Sequence, residues 1–226
     1  MTPLAPVDFS SSAPFDPVSY YLHMVIGLIG LIAAIIAFSS RKGGPRHVFA
    51  GRVFAVCILI VSLTSVVMLL VRVAPPLIVS TAAAIYAIGT ALLALKPSSA
   101  LVRSGEIGLA VIQILAIILF LSIAIPEVAA GVIPPIGPMV IIAIPIFLLI
   151  GDINFFMKSK QRRVLRVRRH LSRMIWAFVV AVRAPIVEVN GSLQIPVPVI
   201  LFLPLLVTPV IIWFVLRRYP IREREG

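Results

Sequence analysis

Seven strongly apolar runs, near 18–39, 48–71, 76–95, 106–125, 137–157, 171–189 and 195–216, make up most of the 226-residue chain. Each approaches the ~20 residues a helix needs to cross about 30 Å of hydrocarbon. In lipid every backbone N–H and C=O must be paired within the protein, which leaves only helices or a closed barrel as spanning elements. The runs lack the period-two alternation of barrel strands. The expected fold is therefore all-α, a polytopic transmembrane helix bundle of about seven spans. It forms a single domain over 18–216, between a leader at 1–17 and a basic tail at 217–226.

Composition supports this reading. Hydrophobic residues make up 61% of the chain and charged residues 12%, about half of the roughly 25% that a soluble domain carries to face water. The net charge of +12 would suit nucleic acid if it lay on one soluble face. Here the basic residues fall in short clusters between apolar runs, so no nucleic-acid partner is expected.

Orientation follows from those clusters. Of the 20 Lys and Arg residues, only Arg72 and Arg183 fall on the side shared with the N-terminal leader. The other side holds Arg41 to Arg52, Lys96, Arg103, the run from Lys158 to Arg173, and the tail. The positive-inside rule then puts the N-terminus outside and the C-terminus in the cytoplasm. The leader has no basic start and carries Asp8 and Asp16, so a cleaved secretory signal is not expected. Together these features predict a multi-pass protein of the bacterial inner membrane.

The sixth span is the weakest, because Arg173 and Arg183 bracket its apolar stretch and Pro185 follows. Both arginines are placed to snorkel towards an interface. Were this segment not to span, the tail arginines would lie outside, against the charge rule. Just before it, Val164, Val167, Leu171, Met174 and Phe178 share one helical face. That stripe predicts a helix along the inner interface that runs on into span six, with Arg162, Arg163, Arg166 and Arg169 against anionic lipid.

Small residues at packing intervals (Gly30, Ala34 and Ala37; Ala83, Ala87 and Ala91) predict close helix approach. Cys57, the single cysteine, rules out an internal disulfide and lies in an apolar run as a packed thiol. Ser62, Thr64, Ser65 and Gln113 supply hydroxyl and amide groups for bonds between helices or a narrow polar path. Pro145, Pro204 and Pro209 each remove a backbone hydrogen bond within a span.

Charged residues inside spans are the natural candidates for a site. Asp152 lies about one turn from the inner end of span five, and Glu106 opens span four on the same side. With His47, His170 and Arg173 also there, Asp152 defines a candidate ligand or proton site; a structural ion pair accounts for the same residues. On the outer side His23, Arg72 and Arg183 form a sparser candidate set. His47 and His170 offer an alternative as haem b ligands. Otherwise no cofactor or metal is expected, and His23 lies too far away to share one with them. No Walker A loop, HExxH or GxSxG elbow occurs. Asn190-Gly191-Ser192 forms a glycosylation sequon on an expected outer loop.

Two stretches resemble the signatures of a known family. The first, HMVIGLIGLIAAIIAFSSRKGGPRHVFAGRVFAVCIL, carries His23, Gly27, Arg41, Lys42, Gly43, His47, Gly51 and Arg52. The second, GDINFFMKSK followed by VRRHLSRMIWAF, carries Gly151, Asp152, Arg169, His170, Arg173 and Met174. They are similar to an uncharacterised bacterial multi-spanning membrane protein family, a domain of unknown function. Residues 74–135 match it only in character, and Arg183, Ala184 and Pro185 stand where the family carries small polar residues. The resemblance implies the architecture and the candidate positions but no reaction.

The functional expectation is a non-enzymatic protein that binds or moves a small solute, proton or lipid within its bundle. The alternatives are a b-type haem redox protein and an assembly or scaffold factor acting through the basic linker. The expected partner is an anionic bilayer, with a second copy or another membrane protein left open.

Overall fold

A computed structural model describes residues 17–71, 73–157, 162–188 and 190–219. Eight helices follow in order: α1 (Pro17–Ser39), α2 (Pro45–Val71), α3 (Pro75–Ala94), α4 (Ala100–Ala129), α5 (Ile136–Met157), α6 (Arg162–Glu188), α7 (Asn190–Leu193) and α8 (Val197–Arg217). Among the described residues there is no strand. Six of these helices are long and apolar enough to cross a membrane, and Phe202–Arg217 of α8 adds a shorter apolar helix. The chain is thus a polytopic helical bundle of about seven long helices. The leader at 1–16, Arg72 and most of the basic tail lie outside the described residues.

Helix ends follow local chemistry. Pro17, Pro45 and Pro75 open their helices, where a missing N–H costs nothing and a fixed φ is already helical. Ser99 caps α4 by accepting from the Val102 N–H at 3.2 Å. At the end of α1, Lys42 Nζ donates to the carbonyls of Ala37 and Phe38 at 3.2 and 2.6 Å. Partial burial draws the Lys42 pKa below that of an ordinary lysine.

Helix limits differ from the apolar runs in instructive ways. Helix α4 continues beyond its run at both ends, and its C-terminal end takes in Pro126. Helix α6 begins at Arg162 and continues past Pro185 to Glu188, so the basic segment and the sixth span form one helix. The expected loop before the last span contains the short helix α7. Hydropathy marks where lipid is, whereas backbone pairing carries a helix on into the interface.

Helices α3 and α6 form the centre: α3 packs on α2, α4, α5 and α6, and α6 also packs on α1, α5 and α8. Their core joins Phe54 and Ile58 of α2, Tyr86 and Ala87 of α3, Leu148 of α5, Trp176 of α6 and Ile212 of α8. Close approach depends on small residues. A β-carbon at Gly30 would stand 2.9 Å from Cys57 Cβ, and one at Gly89 would stand 2.6 Å from Leu109 Cδ1. The outer surface is the reverse of a soluble one: Leu63, Leu70, Leu115 and Leu206 are all exposed, as lipid-facing side chains should be.

Candidate functional site

Near one end of the bundle four charged side chains are buried together. Glu106 of α4, Asp152 of α5, and Arg169 and Arg173 of α6 are 1%, 3%, 6% and 4% exposed. Asp152 lies five residues before Met157 at the end of α5, roughly 8 Å along the axis at about 1.5 Å per residue. Isolated, each of these charges would cost several kcal/mol to bury; two of each sign with shared hydrogen bonds offset most of that cost.

Arg169 bridges the two carboxylates. Its Nη1 donates to Glu106 Oε1 at 2.5 Å, its Nε donates to Asp152 Oδ1 at 3.0 Å, and its Nη2 stands 2.9 Å from that same oxygen. Arg173 Nη2 donates to Asp152 Oδ1 at 2.6 Å and to the Leu148 carbonyl at 2.5 Å. The Tyr86 hydroxyl of α3 donates to Asp152 Oδ2. Four helices therefore meet through Asp152 and its neighbours. The Arg169 guanidinium also lies 4.2 Å from the centre of the Phe155 ring, and that of Arg173 lies 5.5 Å from the Tyr86 ring.

Gly151 explains the adjacent pair Gly151-Asp152. A β-carbon there would stand 3.3 Å from Arg173 Nη2, so the bare backbone lets the guanidinium lie against α5. It can then reach the Leu148 carbonyl and Asp152 at once.

A cleft of about 320 Å³ opens beside the cluster between α5, α6 and α8. Phe147, Gly151 and Phe155 line it from α5; Arg168, Arg169, Ser172, Arg173 and Trp176 from α6; and Ile212 and Leu216 from α8. Arg168 Nη1 donates to the carbonyls of Leu216 and Tyr219 at 3.1 and 2.9 Å, which ties α6 to the end of α8. Three buried donors of residues on this wall have no hydrogen-bond partner, Arg169 Nη2, Arg173 Nη1 and Trp176 Nε1, although Arg169 Nη2 still lies beside Asp152. Buried donors are almost always paired, so their place on a cleft wall is informative.

Of the expected inner set, the structure joins Asp152 to Arg173 directly. His47 and His170 stand apart from that ion pair and bond to backbone instead. His47 Nδ1 donates to the Ala37 carbonyl of α1 at 2.9 Å, and His170 Nδ1 donates to the Ala91 carbonyl of α3 at 3.0 Å. A carbonyl only accepts, so Nδ1 carries the proton in both rings.

The lipid-facing basic set requires a correction. Arg166 is exposed, but Arg169 turns inward to the two carboxylates. The side chains of Arg162 and Arg163 lie outside the described residues. Residue 169 faces α4 and α5, and an unpaired carboxylate pair there would be far costlier than a buried guanidinium.

On the other side His23 Nδ1 bonds to Thr64 Oγ1 at 3.1 Å and Ser65 Oγ at 3.3 Å, fastening α1 to α2. Both hydroxyls donate to the Val61 carbonyl. Arg183 is half-buried with its Nε unpaired, and no bond joins it to His23 among the described residues. Arg72 lies outside them. Gln113 is fully buried with both amide atoms unpartnered.

Tyr86, Arg168 and Trp176 are the site residues that sequence reasoning missed. Only Tyr86 carried a usable signal, as a lone hydroxyl aromatic in an alanine-rich span. The geometry defines a multi-pass helical membrane protein with a neutral four-charge cluster beside an arginine-lined cleft. No family model, curated protein or solved structure matches the chain.

Proposed function

We propose that this protein sits in the bacterial inner membrane with its N-terminus outside, and that it binds a phosphate-bearing anion in the cleft between α5, α6 and α8. The lysine and arginine distribution, with only Arg72 and Arg183 on the N-terminal side, supports the orientation. It puts the charged cluster and the cleft on the cytoplasmic side.

One observation carries the binding reading: Arg173, 4% exposed, lines the cleft with Nη1 unpartnered. Three guanidiniums (Arg168, Arg169 and Arg173) line the cleft, and two carboxylates, Glu106 and Asp152, pair with them. Arg169 and Arg173 are balanced within the cluster, and Arg168 adds a further positive charge on the cleft wall. Guanidinium is the side chain best suited to phosphate oxygens. Binding is favoured over catalysis because Asp152 already accepts from Tyr86, Arg169 and Arg173, which leaves it poorly placed to take a proton from a substrate.

Trp176 in the cleft wall provides the test. Dodecyl phosphate added to protein in a neutral maltoside detergent should change the tryptophan fluorescence in a saturable way, and Trp176→Phe should remove that change. A response that survives in Trp176→Phe, or no saturable response in the wild type, would overturn the reading. The haem alternative for His47 and His170 separates optically: the anion reading expects protein from haem-replete cells to show no Soret band.

A further inference from the structure

We infer that the occupant of the cleft is an anionic phospholipid of the inner leaflet, its phosphate on Arg168 and Arg173 and an acyl chain along Phe147 and Ile212. This rests on the anion-binding reading and adds the source of the anion.

The first argument is the lining. Apart from the three arginines and Ser172, every residue lining the cleft is apolar or glycine. A hydrated inorganic anion gains nothing from Phe147, Phe155, Ile212 or Leu216, whereas an acyl chain does. At about 320 Å³ the cleft falls within the size range of small-ligand sites.

The second argument is where the cleft leads. Phe147 stacks near Trp176, their ring centroids 5.5 Å apart, yet it is 49% exposed on the apolar outer surface. The neighbouring Ile211 and Phe214 of α8 are exposed too. One end of the cleft thus meets the lipid-facing surface. The other lies by Arg168 and the end of α8, where headgroups sit.

The third argument is polarity along α6. Arg168 lies closest to the helix start, and Arg173 and Trp176 lie progressively deeper. The unpaired Arg173 Nη1 and Trp176 Nε1 are donors, matching phosphate and ester oxygens, which accept. Anionic lipid is also what gathers at a basic inner surface.

The experiment compares three probes on the full chain in neutral detergent, read by thermal unfolding: phosphatidylglycerol, phosphatidylcholine and inorganic phosphate. Phosphatidylglycerol should raise Tm in a saturable way, with little effect from the other two at equal concentration. Ser172→Phe, which fills the cleft and leaves the charges in place, should weaken phosphatidylglycerol binding about tenfold or more with the unliganded Tm preserved. A shift with inorganic phosphate alone would overturn the lipid source and leave anion binding standing. Equal shifts with the two lipids, or no shift with any probe, would overturn both. Should Ser172→Phe not fold, photoactivatable phosphatidylglycerol on the wild type decides: label within 147–155, 165–176 or 212–216 is expected, and label confined to α1–α4 overturns the inference.

Discussion

Arg173 lies so close to Gly151 that a β-carbon on the glycine would stand 3.3 Å from its Nη2. Two effects oppose each other on substitution. Alanine gains about 1 kcal/mol of helix propensity over glycine, and the guanidinium end needs to move only a few tenths of an ångström. Gly151→Ala should therefore leave Tm nearly unchanged. Gly151→Leu should displace Arg173 from Asp152 and the Leu148 carbonyl, and lower stability by about 3 kcal/mol or more. Thermal unfolding in detergent checks both.

Arg169 and Glu106 should behave as a coupled pair. Arg169→Met alone takes a guanidinium away from both Glu106 and Asp152 in a buried site and should cost about 3–5 kcal/mol. Adding Glu106→Leu removes one of them and leaves Asp152 with Arg173 and Tyr86. The double variant should be more stable than Arg169→Met, with a coupling of about 1–3 kcal/mol. Additive losses in the cycle would mean that the pair does not form.

Tyr86→Phe removes one donor to Asp152 and no packing volume. The expected loss is about 1–3 kcal/mol, the range for a hydrogen bond to a charged group. Full retention of Tm would show that the hydroxyl is not bonded to Asp152.

Helices α3 and α4 meet at Gly89, where a β-carbon would fall 2.6 Å from Leu109 Cδ1. Gly89→Ala should destabilise by about 1–3 kcal/mol through overpacking. Leu109→Ala made in the same chain should recover part of that loss. Failure of the second substitution to help would argue against this contact.

Much of this bundle was legible from hydropathy alone. The apolar runs place the long helices because lipid allows little else, and Asp152 and Arg173 stood out because charge inside a span is costly. The misplacing of Arg169 has a physical cause. A single apolar stripe through Val164, Leu171 and Met174 implies a helix with one buried face and one wet face. Helix α6 instead runs through the centre of the bundle: Leu171, Met174 and Ala177 are buried, and so are Arg169, Arg173 and Trp176. The clue was present in Glu106 and Asp152, two span carboxylates that needed cations from another helix. The backbone bonds of His47 and His170 left no trace in the pattern, because any carbonyl at a neighbouring helix end serves as acceptor.

The inner placement of the cluster and the cleft requires α6 to cross the membrane with Arg169 and Arg173 at its cytoplasmic end. A dual topology reporter fused after Asn190 tests this directly, since residue 190 follows the C-terminal end of that helix. The expected result is an extracytoplasmic signal there and a cytoplasmic signal for the same reporter fused after Arg217. A cytoplasmic signal after Asn190 would contradict the topology, and with it the inner placement of the cluster and the cleft.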